Sequence, residues 1–242
     1  MCIRDSQFPD EEKFLFKPEL SWEKSQDYLE ENMLDVIAVG FNEKKTHFLI
    51  DTKHSNLMYK EACKIAKKIT FSTVKAVFGF TNENNIGSIF YTAMQAVPAI
   101  LPSVLKGENI PCLIPLGVDQ DPHFRISRDV LPKLGFYKPS LMHCIFLPPL
   151  TGISGKMSSS KRETAIYTTD SPEEVERKIK KYAFSGGQPT ISEHRKKGGN
   201  PDIDVSFQYL KMFFEPDDEK IEEIEQDYKS GKMLTSELKE YL

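Results

Sequence analysis

The chain is 242 residues long, 39% hydrophobic and 28% charged, with a formal net charge of −4 at pH 7. These values describe an ordinary globular chain, long enough for one large domain or one and a half. No apolar run approaches the roughly 20 residues of a membrane-spanning helix, and no leading segment has the form of a signal peptide. The negative balance argues against wholesale binding to nucleic acid, while local basic patches stay available to a partner.

The four cysteines, Cys2, Cys63, Cys112 and Cys144, are scattered, with no CxxC pair and no histidines at metal-ligand spacing. They read as free thiols of a cytoplasmic protein, Cys63, Cys112 and Cys144 buried, with no disulfide and no bound metal expected.

Met1 to Ser6 shows no periodicity and reads as a truncated or non-native terminus. An acidic first turn from Asp10, followed by Lys13 and Lys17, predicts a short helix up to Pro18. Ser21 can cap a second helix through Gly40, with Tyr28, Leu29, Met33, Val36 and Ile37 on its apolar face. Thr46 to Ile50 reads as a short buried strand ended by Asp51. Helices follow over Leu57 to Ile69, Thr73 to Phe80 and Ile86 to Leu105, the last interrupted by Pro98 and Pro102. Cys112 to Val118 is apolar and too short for a helix, so it predicts a central parallel strand. A helix from Phe124 to Leu134, closed by Gly135, and a strand from Ser140 to Leu147 come next. Strands alternating with helices imply a parallel α/β sheet.

A polar loop, Gly155-Lys156-Met157-Ser158-Ser159-Ser160-Lys161, then leads to the strand-like Thr164-Ala165-Ile166-Tyr167. Lysine ammonium groups can neutralise charge building on a phosphoryl group, and hydroxyls and loop amides can hydrogen-bond its oxygens. A solvated Ser/Lys linker is the competing reading. After Thr169 no strand is predicted. Ser171-Pro172-Glu173-Glu174 starts a helix that carries Lys178, Lys180 and Lys181 and ends near Ser185-Gly186-Gly187. Further helices are predicted over Ile191 to Lys197, Val205 to Phe214, Asp217 to Lys229 and Ser236 to Leu242, and a domain boundary near 168.

Ligands of parallel α/β sheets sit beyond the carboxyl ends of the strands, where Gly117-Val118-Asp119-Gln120 falls. Gly117 allows close approach, and Asp119 and Gln120 offer polar groups to an amino acid or a ribose. A turn and helix cap would use the same residues. Gln95, inside an apolar helix, needs a ligand or backbone partner, and Tyr91 one turn earlier lines the same pocket or belongs to the core. The basic clusters Lys178/Lys180/Lys181 and Arg195-Lys196-Lys197 are either phosphate contacts or a solvated face. No GxGxxG, P-loop or HExxH is present.

Lys156-Met157-Ser158-Ser159-Ser160 resembles the second signature, KMSKS, of the class I aminoacyl-tRNA synthetases. In register with it, Asp10 to Lys17, Gly79-Phe80-Thr81, Ala93 to Pro98, Pro115 to Arg125, Ala183 to Gly187 and His194 to Phe207 resemble the tryptophanyl-tRNA synthetases of eukaryotic or archaeal type. The resemblance runs from about residue 7 to the end. It implies a partial Rossmann-type catalytic domain over 1–168, followed by an all-α anticodon-binding domain, truncated, over 169–242. It implies ATP-dependent activation of tryptophan to the adenylate and transfer to tRNA(Trp), with Mg2+ sharing the phosphate charge.

By the same resemblance Lys156, Ser158 and Ser159 are catalytic, and Gly117, Asp119, Lys156 and Met157 bind ATP. Tryptophan falls to Gln7, Glu12, Tyr91, Gln95 and Gln120, with Gln7 reaching the indole N–H. Lys178, Lys181, Arg195 and Lys196 meet tRNA, and the full-length family member is a homodimer. The family's histidine-bearing first signature, His-x-Gly-His in form, is not in this chain, and the C-terminal helices stop before the family's usual end. The chain is therefore expected to be a fragment with little or no aminoacylation activity of its own. Two rivals remain. The sister tyrosyl enzymes can carry the same lysine-serine run, although the Ala-Phe-Ser-Gly-Gly and His-Arg…Gly-Gly-Asn stretches favour tryptophan. The other rival is a non-catalytic interaction module derived from a synthetase.

Overall fold

The computed structural model describes residues 4–42, 44–157 and 161–242; Ser158 and Ser159 lie outside the described residues. The chain divides into two compact units, Met1–Ile145 and Phe146–Leu242. The division falls upstream of position 168, where strand-like sequence gives out.

The first unit opens on strand β1, Arg4–Phe8, which the sequence had offered only as an aperiodic terminus. It pairs in parallel with β2, Thr46–Ile50, placing Gln7 opposite Leu49 and Phe8 opposite Ile50. Between them run α1, Glu12–Phe16, and α2, Trp22–Ala38, with Ser21 accepting the Lys24 N–H at 3.2 Å as N-cap. Leu29 of α2 is buried with Phe8 and Ile50, and Met33 and Val36 pack against them. Tyr28 and Ile37, expected on that face, are exposed.

Helix α3, Ser55–Ala66, follows β2, and α4, Phe71–Phe78, is capped by Thr70 and closed by Gly79 at φ +70°. The helix predicted from Ile86 to Leu105 is two helices, α5, Ile86–Met94, and α6, Leu101–Lys106. Pro98 sits in the break, because proline lacks an N–H and clashes with the preceding turn. Met58, Ala62 and Ile65 of α3, Val74 of α4 and Ala93 of α5 meet Ala96, Val97 and Ile100 in the core. Each large side chain buried there contributes roughly 1.5–3 kcal/mol.

Strands β3, Leu113–Gly117, and β4, Ser140–Cys144, form a second parallel pair, with Gly117 opposite Cys144. The described strands thus make two separate pairs rather than one continuous sheet. The expected burial of β3 is not met, since Leu113 is exposed and Leu116 alone is fully inside. A strand with one pairing neighbour and no layer over its second face leaves alternate side chains in solvent. Between β3 and β4 lies α7, Asp121–Val130, with Pro122 in its first turn, where a missing N–H costs nothing.

The described residues of the second unit hold no strand. The segment predicted as strand-like from Thr164 begins in a 3₁₀ turn, Arg162–Thr164. Helices α8, Pro172–Tyr182, α9, Ile191–Lys197, α10, Val205–Tyr209, α11, Asp218–Ser230, and α12, Thr235–Tyr241, follow. The predicted Val205–Phe214 helix changes to a π turn at Leu210. Two adjoining apolar clusters hold this unit, one built on Phe207, Ile224, Tyr228 and Leu238, the other on Leu150, Ile179, Val205 and Tyr209.

The glycine pairs have a structural cause. A Cβ on Gly186 would lie 1.9 Å from the Asn200 carbonyl oxygen, and one on Gly198 would lie 1.7 Å from that of Lys229. The backbones touch instead: Asn200 N donates to Gly186 O, and Gly199 N to Tyr228 O, each at 2.8 Å. Asp204, fully buried, joins these segments. It caps α10 through Ser206 N and Phe207 N, and accepts from Gly186 N at 2.8 Å and Tyr228 Oη at 2.7 Å.

Among the described residues no helix is long and apolar enough to cross a membrane. Cys63 and Cys144 are exposed rather than buried as expected, and Cys112 is half-buried.

Candidate functional site

In the first unit, the carboxyl ends of β1 and β2 carry an unusual density of polar side chains. Beyond β1, Asp10 is buried and braces the turn into α1. Its carboxylate accepts from Thr52 Oγ1 at 2.5 Å, Thr52 N at 3.1 Å and Gln26 Nε2 at 3.1 Å, and its carbonyl accepts from Ser25 Oγ at 2.7 Å. This fixes the β1–α1 turn against the residues that follow β2.

That brace places Gln7, half-buried near the end of β1, beside Asp51 and α5. Gln7 Nε2 donates to Asp51 Oδ2 at 2.8 Å and to Gln95 Oε1 at 3.0 Å. Tyr91 Oη donates to the same Gln95 oxygen at 2.7 Å. Tyr91 and Gln95 stand one turn apart, so the 3.6-residue period aims both side chains to one side. Gln7, Tyr91 and Gln95, three of the five residues expected to bind tryptophan, are thus joined directly. Glu12 and Gln120 form the other pair, with the Gln120 side chain close enough to oppose the effect of burial on the Glu12 carboxyl. Gln120 Oε1 is buried with no partner.

The electrostatics of this region come from carboxyl groups removed from water. Burial, reinforced by Glu11, pushes Asp51 up to about 8 although Gln7 donates to it. Burial pushes Glu11 up to about 7, with Asp10 adding to the effect. Glu12 is raised by burial, against the opposing effect of the Gln120 side chain. The Tyr91 hydroxyl is held well above its usual range by burial and then by Glu12. Burial lowers His123 to about 4, so it is a neutral ring at physiological pH. It packs against Phe78 and Tyr91, with ring centroids 4.5 and 5.6 Å away.

Asp51 Oδ1, Glu11 Oε2 and His123 Nδ1 are likewise buried without partners. Buried polar atoms with open valences call for a partner, and the polar groups of a ligand are one set that would fill them. Several carboxyls starved of water beside a polarised amide pair suit a small molecule that brings N–H donors and a cation, whose charge would favour their ionised forms.

Gly117 and Asp119 sit at the end of β3 and in the turn after it. Gly117 has φ −64°, so the position does not demand a glycine conformation, and Asp119 is exposed. Asp121, next along, is lowered by His143, whose Nε2 lies 2.7 Å from Asp121 Oδ1, and further by Arg125.

In the second unit, Lys156 is exposed, with its ammonium 5.3 Å from the centre of the Phe146 ring. Gly155 before it has φ +94°, a conformation costly for any residue with a Cβ. Met157 packs on the Leu150–Ile179 cluster, which anchors the loop's edge. Among the basic residues expected to meet tRNA, Lys181 and Lys196 are exposed. Arg195 Nη1 is engaged by the carbonyls of Gly231, at 2.9 Å, and Lys232. Lys178 does not stand on a solvent face. Its ammonium is buried, bound to Asp170 Oδ2 at 2.5 Å and Ala165 O at 3.1 Å, and the helical spacing that aligns it with Lys181 puts it against the core.

Asp51, Glu11 and His123 were not singled out from sequence. The available signal was an acidic residue directly after the apolar Thr46–Ile50 strand, at the end where ligands bind.

This chain belongs to the class I tRNA synthetases of the W and Y group, whose family model matches residues 16–242. It is 57% identical over 233 residues to a tryptophan–tRNA ligase of Sulfurisphaera tokodaii, covering 96% of this chain and 60% of that one. A parasite tRNA synthetase in its product-bound state superposes with a TM-score of 0.93 at 44% identity, covering 98% of this chain and 64% of that one. The tryptophanyl-tRNA synthetase of Encephalitozoon cuniculi, bound to tryptophan, superposes with a TM-score of 0.87 at 36% identity, covering 99% and 64%. The chain spans about 60% of the length of the curated relatives it matches.

Proposed function

We propose that this chain is the part of a tryptophan–tRNA ligase, of eukaryotic or archaeal type, that holds tryptophan, closes over ATP and meets tRNA(Trp). The observation that carries this reading is the hydrogen-bonded set Gln7–Gln95–Tyr91 beside Glu12–Gln120, in a chain whose relatives are tryptophan–tRNA ligases.

In this reading the α-ammonium of tryptophan is drawn to the carboxyl-rich side, near Glu12 and Gln120, and the indole N–H meets the amide of Gln7. Its carboxylate attacks the α-phosphate of ATP, and pyrophosphate leaves with the Mg2+ that ATP carries as part of the substrate. Lys156 neutralises charge on the departing phosphates, and Ser158, Ser159 and the loop amides hold them. Gly155 lets the loop take the turn that closing requires. Gly117 and Asp119 face the nucleotide, with Met157 as the loop's apolar anchor. The helices beyond residue 168 form the anticodon-binding part, with Lys181, Lys196 and Arg195 toward the tRNA backbone, and the working enzyme is a cytoplasmic homodimer. Lys178 is left out of the tRNA set, because a buried, paired ammonium has no phosphate to reach.

Two measurements test this. Equilibrium dialysis of the chain against labelled tryptophan and tyrosine should show retention of tryptophan alone; retention of tyrosine alone would move the assignment to the sister enzyme. In the complete gene product, ATP–pyrophosphate exchange should depend on tryptophan and fall about 100-fold in Lys156→Ala. Exchange indifferent to Lys156 would remove the loop from the mechanism.

A further inference from the structure

The amide of a glutamine can present either face, a donor or an acceptor, and the two differ only by a flip of the side chain. For a pocket that reads an N–H the wrong face is as harmful as a missing residue. In this chain the flip is decided by a group outside the set assigned to tryptophan. Gln7 Nε2 has two protons, and both are spent: one on Asp51 Oδ2 at 2.8 Å, the other on Gln95 Oε1 at 3.0 Å. The amide oxygen of Gln7 is what remains for a ligand. Gln95 Oε1 in turn is filled by Gln7 and by Tyr91 Oη at 2.7 Å, which leaves the Gln95 amide nitrogen to act as a donor.

The relay has an acceptor at its Asp51 end. Asp51 has 0% of its surface exposed, and its other oxygen, Oδ1, is buried without a partner. Oδ2 can accept from Gln7 when Asp51 is charged, and equally when it is neutral with its proton on Oδ1. Asp51 is also held in place by its backbone, whose N–H donates to Phe8 O at 3.2 Å, one residue beyond Gln7. Parallel pairing of β1 and β2 ends here, with Phe8 opposite Ile50, so the two side chains emerge side by side from the ends of adjacent strands.

We infer that Asp51 is a positioning residue for amino-acid selection: by holding the Gln7 amide nitrogen it turns the Gln7 carbonyl toward the pocket as the acceptor for the ligand's ring N–H. This rests on the tryptophan reading given above. A ligand whose ring lacks an N–H leaves that carbonyl buried and unpaired, which a hydrogen-bonding site penalises strongly.

The test compares binding of tryptophan with that of β-(1-benzothiophen-3-yl)alanine, in which sulfur replaces the ring N–H. Wild-type chain should prefer tryptophan by about 10- to 100-fold, the cost of one buried unpaired acceptor. Asp51→Leu, of similar size and without an acceptor, should bring the ratio to within about threefold of unity, by weakening tryptophan more than the analogue. Asp51→Asn keeps an oxygen where Oδ2 stands and should retain the preference. A purely structural role would weaken both ligands together and leave the ratio unchanged in Asp51→Leu, which overturns the inference.

A ligand-free arm stands beside it. The Gln7 side-chain amide protons of the wild-type chain should exchange with solvent well below the rate of an exposed glutamine. Rapid exchange of both protons overturns the inference without reference to any ligand or variant. Failure of the wild-type chain to bind either amino acid would count against the tryptophan reading, with the exchange measurement still deciding the placement of Gln7.

Discussion

Asp51 should also govern how the first unit responds to pH. Its carboxyl is removed from water, and burial with the nearby Glu11 raises it from 3.8 to about 8. The unfolded chain gives up this proton near pH 3.8 and the folded chain keeps it until near pH 8. Between pH 5 and about 7 the native state therefore binds one more proton than the unfolded state at this site. Stability then changes by 2.303RT per proton per pH unit, about −1.4 kcal/mol for each unit of rising pH. The contribution is fully present below the unfolded value and is lost as pH climbs through the folded one.

Glu11, raised to about 7, adds a second term of the same sign over the lower part of this window. Asp51→Asn removes one bound proton, so the slope between pH 5 and 6.5 should change by roughly 1.4 kcal/mol per pH unit, while the opposing term from His123, lowered to about 4, is the same in both chains. The slope counts protons, so it does not depend on the exact folded value. Urea denaturation across this range measures it. Trp22, the single tryptophan, stacks edge-on to Phe14 at 5.4 Å and reports on the first unit by fluorescence. An Asp51→Asn slope equal to that of the wild-type chain would mean that Asp51 is already ionised in the folded protein, and would refute the burial argument.

Removing the Asp204 carboxylate should be the most damaging single change in the second unit. Asp204→Ala strips the α10 cap and leaves Gly186 N–H and Tyr228 Oη unpaired, a loss of about 4 kcal/mol in urea denaturation followed by circular dichroism. A loss below about 1 kcal/mol would show that water replaces it. Lys178→Ala should cost about 3 kcal/mol by stranding Asp170, whereas Lys181→Ala and Lys196→Ala should stay within about 0.5 kcal/mol; melting temperatures compare them. Gly198→Ala, at φ +70° and facing the Lys229 carbonyl, should lower the melting temperature by more than 10 °C or abolish soluble expression. Tyr91→Phe removes one buried donor from Gln95 and should cost about 1 kcal/mol in stability, with tryptophan affinity falling about fivefold in equilibrium dialysis.

Much of this protein is local in origin and could be read directly. Ser21, Thr70, Asn85, Ser171 and Thr190 each cap the helix that follows by accepting a backbone N–H three residues on; a cap needs only its own turn, so its signal lies within four residues. The glycine pairs at 186–187 and 198–199 were visible as motifs, though not as the backbone crossings they form. Gln7, Gln95 and Glu12 were named as site residues through family resemblance. Their wiring was not.

What the tertiary structure decided is whatever depends on residues distant in sequence. Arg4–Phe8 is largely polar and has no strand period of its own; it is a strand because Thr46–Ile50 offers it a ladder. Lys178 looked like one cation among three until the fold set it against Asp170 and Ala165, since helical spacing gives a face and not the partner that covers it. Asp51 read as the end of a strand. It lies 44 positions from Gln7, and only the parallel pairing of β1 with β2 brings its oxygen to that amide. A sequence fixes which groups are available and which local turns they favour. The protonation and orientation of those groups follow from burial and from neighbours that the folded chain alone assembles.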